Sequence, residues 1–343
     1  MPILQKNQAS NSFLERAAEL TKKSIYRLYP GMLEDDRKAV AKKFGSGVDH
    51  RQVTSEMINR GMVDINSLEM RIREDEYHCR RNGNRVIFPE SRVVLDNLLR
   101  AKYEMVTAEG FDLPHASFVL AMPNNFACPG TEHQMPALLV SMSTIAEKSA
   151  ALHAYYQLPK QLTQVSSKDT RLISIVYKHP FDGSHGRSGI ELSDLPRLLA
   201  CSTADELDKT IGLSSNVGSL SSGELDRKIQ FTALKLVASV GVYHLATEGK
   251  RLFEGFPGNA KPQMMHVTAE QRGDILASTL TNASGVRHEI DSEKDVHYRT
   301  WHFRQLRDDR FYKNEFAHLK PGSRYVFVSD AVIGQKVDPS TLV

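Results

Sequence analysis

Cysteine is scarce: Cys79, Cys128 and Cys201 are the only three in 343 residues, and they lie far apart. That spacing excludes a close-paired structural zinc site, a redox dithiol and a disulfide framework, leaving reduced thiols as the simplest account. A marked surplus of one charge is also missing, because 44 Lys and Arg stand against 41 Asp and Glu, a formal net charge of +3. The total therefore implies no nucleic-acid partner, and only local clusters carry information. No run approaches the roughly 18 apolar residues of a membrane helix, and Met1 to Ser10 lacks the apolar stretch of a secretion signal. We expect a cytoplasmic protein with no membrane partner. Neither a nucleotide P-loop nor a dinucleotide fingerprint is present, so no cofactor is expected.

What is present has the balance of a globular protein, with 41% hydrophobic and 25% charged residues. Ser12 and Glu15 have capping-box spacing, and Leu14, Ala17, Ala18, Ile25 and Leu28 then share one side of a helix that Pro30-Gly31 ends. A second helix is predicted over Leu33 to Phe44, broken by Gly45, Gly47 and Asp49. Gln52 to Arg73 reads as short helices and turns, and Arg71 to Arg85 as an arginine-rich loop. Val94, Leu95, Leu98 and Leu99 mark a core helix within Ser91 to Met105.

The middle of the chain changes period. His115 to Ala121, Met135 to Met142 and Thr170 to Tyr177 are short apolar runs bounded by turn residues and read as strands. The loop Lys178 to Gly189 carries His179, His185 and Arg187 among three glycines. It is read as a surface turn, with His185 and Arg187 candidates for meeting an anion. Thr203 and Glu206 form a capping-box spacing, and Leu213 to Gly223 reads as an exposed loop. Ser221 and Glu224 then open the most regular helix, with Leu225, Ile229, Ala233, Leu236, Val237, Val240 and Tyr243 on one stripe. The expected fold is α+β: a mainly helical region over 1–110, then an α+β domain over 111–343. Its mixed or antiparallel sheet is packed by the long helix at about 222–247.

Chemistry concentrates near the end. From His297 to Arg324, seven basic residues (Arg299, Arg304, Arg307, Arg310, Lys313, Lys320, Arg324) stand against three acidic ones (Asp308, Asp309, Glu315). The local surplus of four exceeds that of the whole chain. Tyr298, the single Trp301, Phe303 and other aromatics are interleaved, as a nucleic-acid surface requires, since cations neutralise phosphates and aromatic faces stack on bases. Arg299, Trp301, Arg304, Arg307, Arg310, Lys313, Arg324 and Arg187 are the candidate nucleic-acid-binding residues. Alternation along an extended chain puts one set of polar side chains on a common face.

The run His297-x-Arg299-x-x-His302-Phe303-Arg304, followed by Gly322-x-Arg324 and a strand ending at Val328, resembles the C-terminal signature of a family of uncharacterised proteins of phages, plasmids and bacterial mobile elements. The resemblance spans about 288–334. It implies a phage or mobile-element context and brings no activity with it.

Three functions follow from these readings. The first is binding of DNA, RNA or another polyanion through the C-terminal surface. The second is a metal-independent phosphodiesterase or nuclease, with His297 and His302 as acid and base, His318 as a further candidate, and Arg299 or Arg304 stabilising charge. His297 and His302 are five apart, so a bulge or turn near Thr300 must unite them. The third is a virion component or an inhibitor of a host protein. His288, His297, His302, Asp291 and Asp295 offer metal donors, but no metal-ligand motif joins them, and none is assigned.

Overall fold

The computed structural model describes residues 31–82, 85–88, 92–122, 126–158, 170–179, 182–211, 223–249, 251–255, 263–264, 297–328 and 331–333. The helix predicted over Ser12 to Leu28 and most of the loop before Gly223 lie outside them. The architecture is α+β. Among the described residues three helices come first, α1 Met32–Phe44, α2 His50–Asn59 and α3 Leu68–Arg81. Gly45 ends α1 with φ +96°, a conformation that costs a residue with a Cβ. Asp49 caps α2 by accepting from Arg51 N, and Ser67 caps α3 by accepting from Met70 N.

The segment from Arg71 is therefore helix as far as Arg81, not the arginine-rich loop that its charges suggested. The reason is where its acids go: Glu74, Asp75 and Glu76 are all buried. Glu76 supplies the cap that α1 lacks, accepting from Met32 N at 2.8 Å and Leu33 N at 2.9 Å. Burial pushes its carboxyl up to about 7, against the pull of those two donors. A carboxyl raised in the folded state contributes stability that is complete below its unfolded value of 4.5 and is lost as pH rises through about 7. We expect the thermal midpoint to fall across that window and Glu76→Gln to flatten the fall; superimposable pH profiles for the two proteins would refute this.

The larger sheet has seven strands, β1 Val86–Phe88, β3 Ser117–Leu120, β4 Leu138–Thr144, β5 Arg171–Lys178, β6 His185–Glu191, β7 Phe253–Gly255 and β8 Gln263–Met264. Their order is β6-β5-β4-β3-β1-β7-β8, antiparallel except for the parallel pair β1 and β3. His185 to Gly189 thus belong to strand β6, rather than to a surface turn. Between β1 and β3 the chain forms α4 Arg92–Arg100 and β2 Lys102–Glu104. β2 joins a second sheet in the order β11-β10-β2, with β10 His302–Leu306 and β11 Arg324–Val328. Residues 86–104 are therefore shared between the two sheets, and the helical region ends at α3.

The long helix is α8 Glu224–Ala246, and Ile229 to Tyr243 is buried without a break. The sequence predicted one buried stripe; instead α4, α6 Leu195–Ala200, α7 Ala204–Ile211, β6 and both β10 and β11 surround the helix. Gly223 stands at its N-cap, and Ser221, the predicted cap, lies outside the described residues. Gly241 lets α8 approach the chain before β3, because a Cβ there would lie 2.5 Å from the Phe111 ring. The opposite face of the seven-stranded sheet is covered by α3 and by α5 Ile145–Tyr156, which a Thr144–Glu147 capping box starts.

Candidate polyanion-binding groove

In the three-stranded sheet, period-two alternation separates two chemistries. Phe303, Gln305 and Tyr325 point inward and are buried, with Phe303 opposite Phe327 and Tyr103, while Lys102, Glu104, Arg304 and Val326 are exposed on the outer side. Phe303 stacks on Tyr103 at 5.2 Å and on Phe327 at 5.1 Å. Trp301, just before β10, stacks on Tyr243 of α8 at 5.8 Å and meets Phe327 edge-on at 4.8 Å. It is 6% exposed, so it is a core residue and presents no face to a base. Burying so large an apolar surface stabilises the fold by more than an exposed stacking platform would.

Beyond the sheet, Arg304, Arg307 and Arg310 line one open groove of about 290 Å³, together with Glu104, Val106, Asp308 and Phe311. The side chains of Arg304 and Arg310 are 62% and 65% exposed. The Arg310 guanidinium lies 4.7 Å from the centroid of the Phe311 ring, a cation–π contact that narrows its motion. Two residues that the sequence reading did not single out shape the backbone here. Buried Gln305 donates Nε2 to Gly322 O at 2.7 Å and to Thr107 O at 3.1 Å, and accepts from Val106 N at 3.1 Å. Tyr312 OH donates to Leu306 O at 2.6 Å and accepts from Gly322 N at 2.8 Å. Both are polar groups in an inward position, which a hydrophobicity pattern cannot distinguish from misplaced surface residues.

The remaining candidates fall elsewhere. Arg324 donates to Phe311 O at 2.7 Å and lies over the Phe316 ring, so internal partners hold its guanidinium. Lys313 and His318 are exposed but do not line the groove. His297 and Arg299 belong to β9 His297–Arg299, which pairs with β12 Ala331–Ile333 in a separate two-stranded sheet. Their side chains lie outside the described residues, as do His288, Asp291 and Asp295. The strand does break at Thr300 and Trp301, where a bulge or turn was required. The His302 ring nitrogen Nε2 lies 3.1 Å from Glu104 Oε1, and Arg304 Nε lies 3.7 Å from Glu104 Oε2.

Arg187 is the clearest correction. Its Nε donates to Asp75 Oδ2 at 2.8 Å and its Nη2 to Ser174 Oγ at 3.0 Å, beneath α3 and α5. Lys148 Nζ donates to the other Asp75 oxygen at 2.5 Å and to Ser174 Oγ at 2.8 Å, and Ser141 Oγ donates to Asp75 Oδ1 at 2.8 Å. Ser117, Ser141 and Ser174 stand side by side across β3, β4 and β5, a polar rung in strands that are otherwise apolar. Burial alone would raise the Asp75 carboxyl, but Lys148 and Arg187 outweigh it and hold the group well below the usual carboxylate range. A lysine bonded to a serine hydroxyl is also a nucleophile–base pattern. Here Lys148 is 2% and Ser174 1% exposed, so no substrate reaches them and the trio is an internal ion network.

His185 is likewise buried rather than offered to an anion, and His179 is buried too. His179 Nε2 lies 3.1 Å from Asp226 Oδ1, which Tyr177 OH also reaches at 3.1 Å, while Gln230 Nε2 donates to Asp226 Oδ2 at 2.8 Å. Among the described residues, no group of three or more His, Cys, Asp or Glu is placed to hold a metal ion. No protein-family model, curated protein or solved structure matches the chain.

Proposed function

We propose that this is a cytoplasmic protein of a phage or mobile element that binds DNA, RNA or another polyanion through the Arg304–Arg307–Arg310 groove. The observation that carries the reading is that three arginines line one open groove, the side chains of two of them more than half exposed. Arginine presents a planar fork that meets a phosphate with two hydrogen bonds, and it keeps its charge at every physiological pH. Because Trp301, Phe303 and Tyr325 lie in the core and the Phe311 ring of the groove already carries the Arg310 guanidinium, the contacts go to the phosphate backbone more than to bases, and binding is tolerant of sequence. Exposed Lys102 and Lys313 add to the attracting field without lining the groove.

The test is a salt-series gel shift with single-stranded DNA, duplex DNA and RNA, read also for cleavage products. Changing Arg304, Arg307 and Arg310 together to Gln should lower the slope of log affinity against log salt by about three, roughly one per lost phosphate contact. Retention at low salt should fall by more than about tenfold. Equal retention by the wild type and the triple variant would remove the groove from the account. Failure of both to bind any of the three nucleic acids at low salt would remove the function.

A further inference from the structure

We infer that Glu104 is a built-in competitor for the groove, its carboxylate standing on His302 and Arg304 where a phosphate of the bound polyanion would stand. The inference rests on the polyanion-binding reading above and says how that site is set. Glu104 lies on β2, at the edge of its sheet among the described residues, directly opposite Arg304 in the parallel pairing with β10. Its two oxygens divide between two partners, Oε1 at 3.1 Å from His302 Nε2 and Oε2 at 3.7 Å from Arg304 Nε. A carboxylate oxygen and a phosphate oxygen make the same charge-assisted contact with a guanidinium, so the two anions exclude one another.

Glu104 is also the carboxylate of the groove that can leave. The other one, Asp308, has Oδ2 3.4 Å from Arg310 Nε but is also tied to the backbone, its Oδ1 accepting from Arg310 N at 2.9 Å. Among the described residues Glu104 accepts from no backbone N–H, its side chain is 58% exposed, and only side-chain rotation is needed to free Arg304. An exposed pair of this kind is held weakly. Arg307 enters no ion pair among the described residues and can capture a phosphate before Glu104 moves. Binding then proceeds in two stages, capture at Arg307 and exchange of carboxylate for phosphate at Arg304. Only a ligand with several closely spaced anionic groups gains from both stages, which favours a polyanion over a single small anion.

The experiment is fluorescence anisotropy with a short labelled DNA duplex at low salt, comparing wild type, Glu104→Gln and Glu109→Gln. Glu109 is a carboxylate away from the groove, 3.7 Å from Lys320, and controls for the change in net charge. Glu104→Gln should bind about three- to tenfold tighter than wild type, with Glu109→Gln within about twofold of it. Glu104→Gln binding no tighter, while the arginine variants bind more weakly, overturns the competitor and leaves the groove in place. Binding by Glu104→Gln where wild type shows none would support the competitor strongly. Absence of binding by both overturns this inference together with the function beneath it.

Discussion

Replacing Asp75 with Ala is expected to cost about 3–5 kcal/mol, because it strands two cations inside the protein. Lys148 and Arg187 both direct their nitrogens at this one carboxylate, and Lys148 is 2% exposed. With the carboxylate gone, Lys148 has no water to turn to and Arg187, its side chain 11% exposed, has little, so Ser174 is left to receive both. The loss should appear as a lower denaturant midpoint, with α3 and α5 coming away from the sheet. Changing Asp75, Lys148 and Arg187 together to Leu, Met and Met should regain most of it, since an apolar set of similar volume pays no desolvation cost. An Asp75→Ala protein within about 1 kcal/mol of wild type would mean that the network is not a stabilising centre. The pH dependence has a fixed sign. Asp75 is depressed in the folded state, so its contribution is present above the unfolded carboxylate value and is lost as pH falls through the lower folded one. Acid should therefore loosen this layer.

Trp301→Ala is expected to destabilise by about 3–5 kcal/mol, the range for removing a large aromatic from a core. Its ring packs against both Tyr243 and Phe327, and its loss opens a cavity where α8 meets the three-stranded sheet. The sharper measurement uses Trp301→Phe, which keeps most of the packing. If the indole only supports the groove, this variant should melt lower yet bind a polyanion with unchanged affinity and salt slope. A variant of wild-type stability that binds several-fold more weakly would restore the stacking role that the residue's position among arginines first suggested.

The two cases show how differently the site and its scaffold were legible. Alternation through His302-Phe303-Arg304-Gln305 placed the exposed Arg304 on one face and the buried Phe303 on the other, because the period of a strand is a local property of the backbone. The helix closed by Gly45 and the helix begun at Thr203 were readable for the same reason, each resting on a few neighbouring residues. The strands β3, β4 and β5 were likewise visible as short apolar runs. Arg187 was not readable: it sits among glycines as a ligand-binding arginine might, yet its partner lies 112 residues earlier. Nor was Asp75, whose Lys148 lies 73 residues on, and whose place among charged neighbours suggested an arginine-rich loop.

Composition and local pattern, then, sufficed for an α+β protein with a long apolar helix and a basic, aromatic end. Folding chose which of those basic and aromatic groups face water. It drew Trp301 into the core, tied Arg324 and Arg187 to internal acceptors, and left Arg304, Arg307 and Arg310 around one groove. The physical reason is that helix and strand preferences act over a few residues. The solvation of a charge or a ring depends instead on partners that long-range contacts deliver, and no window of the chain contains them.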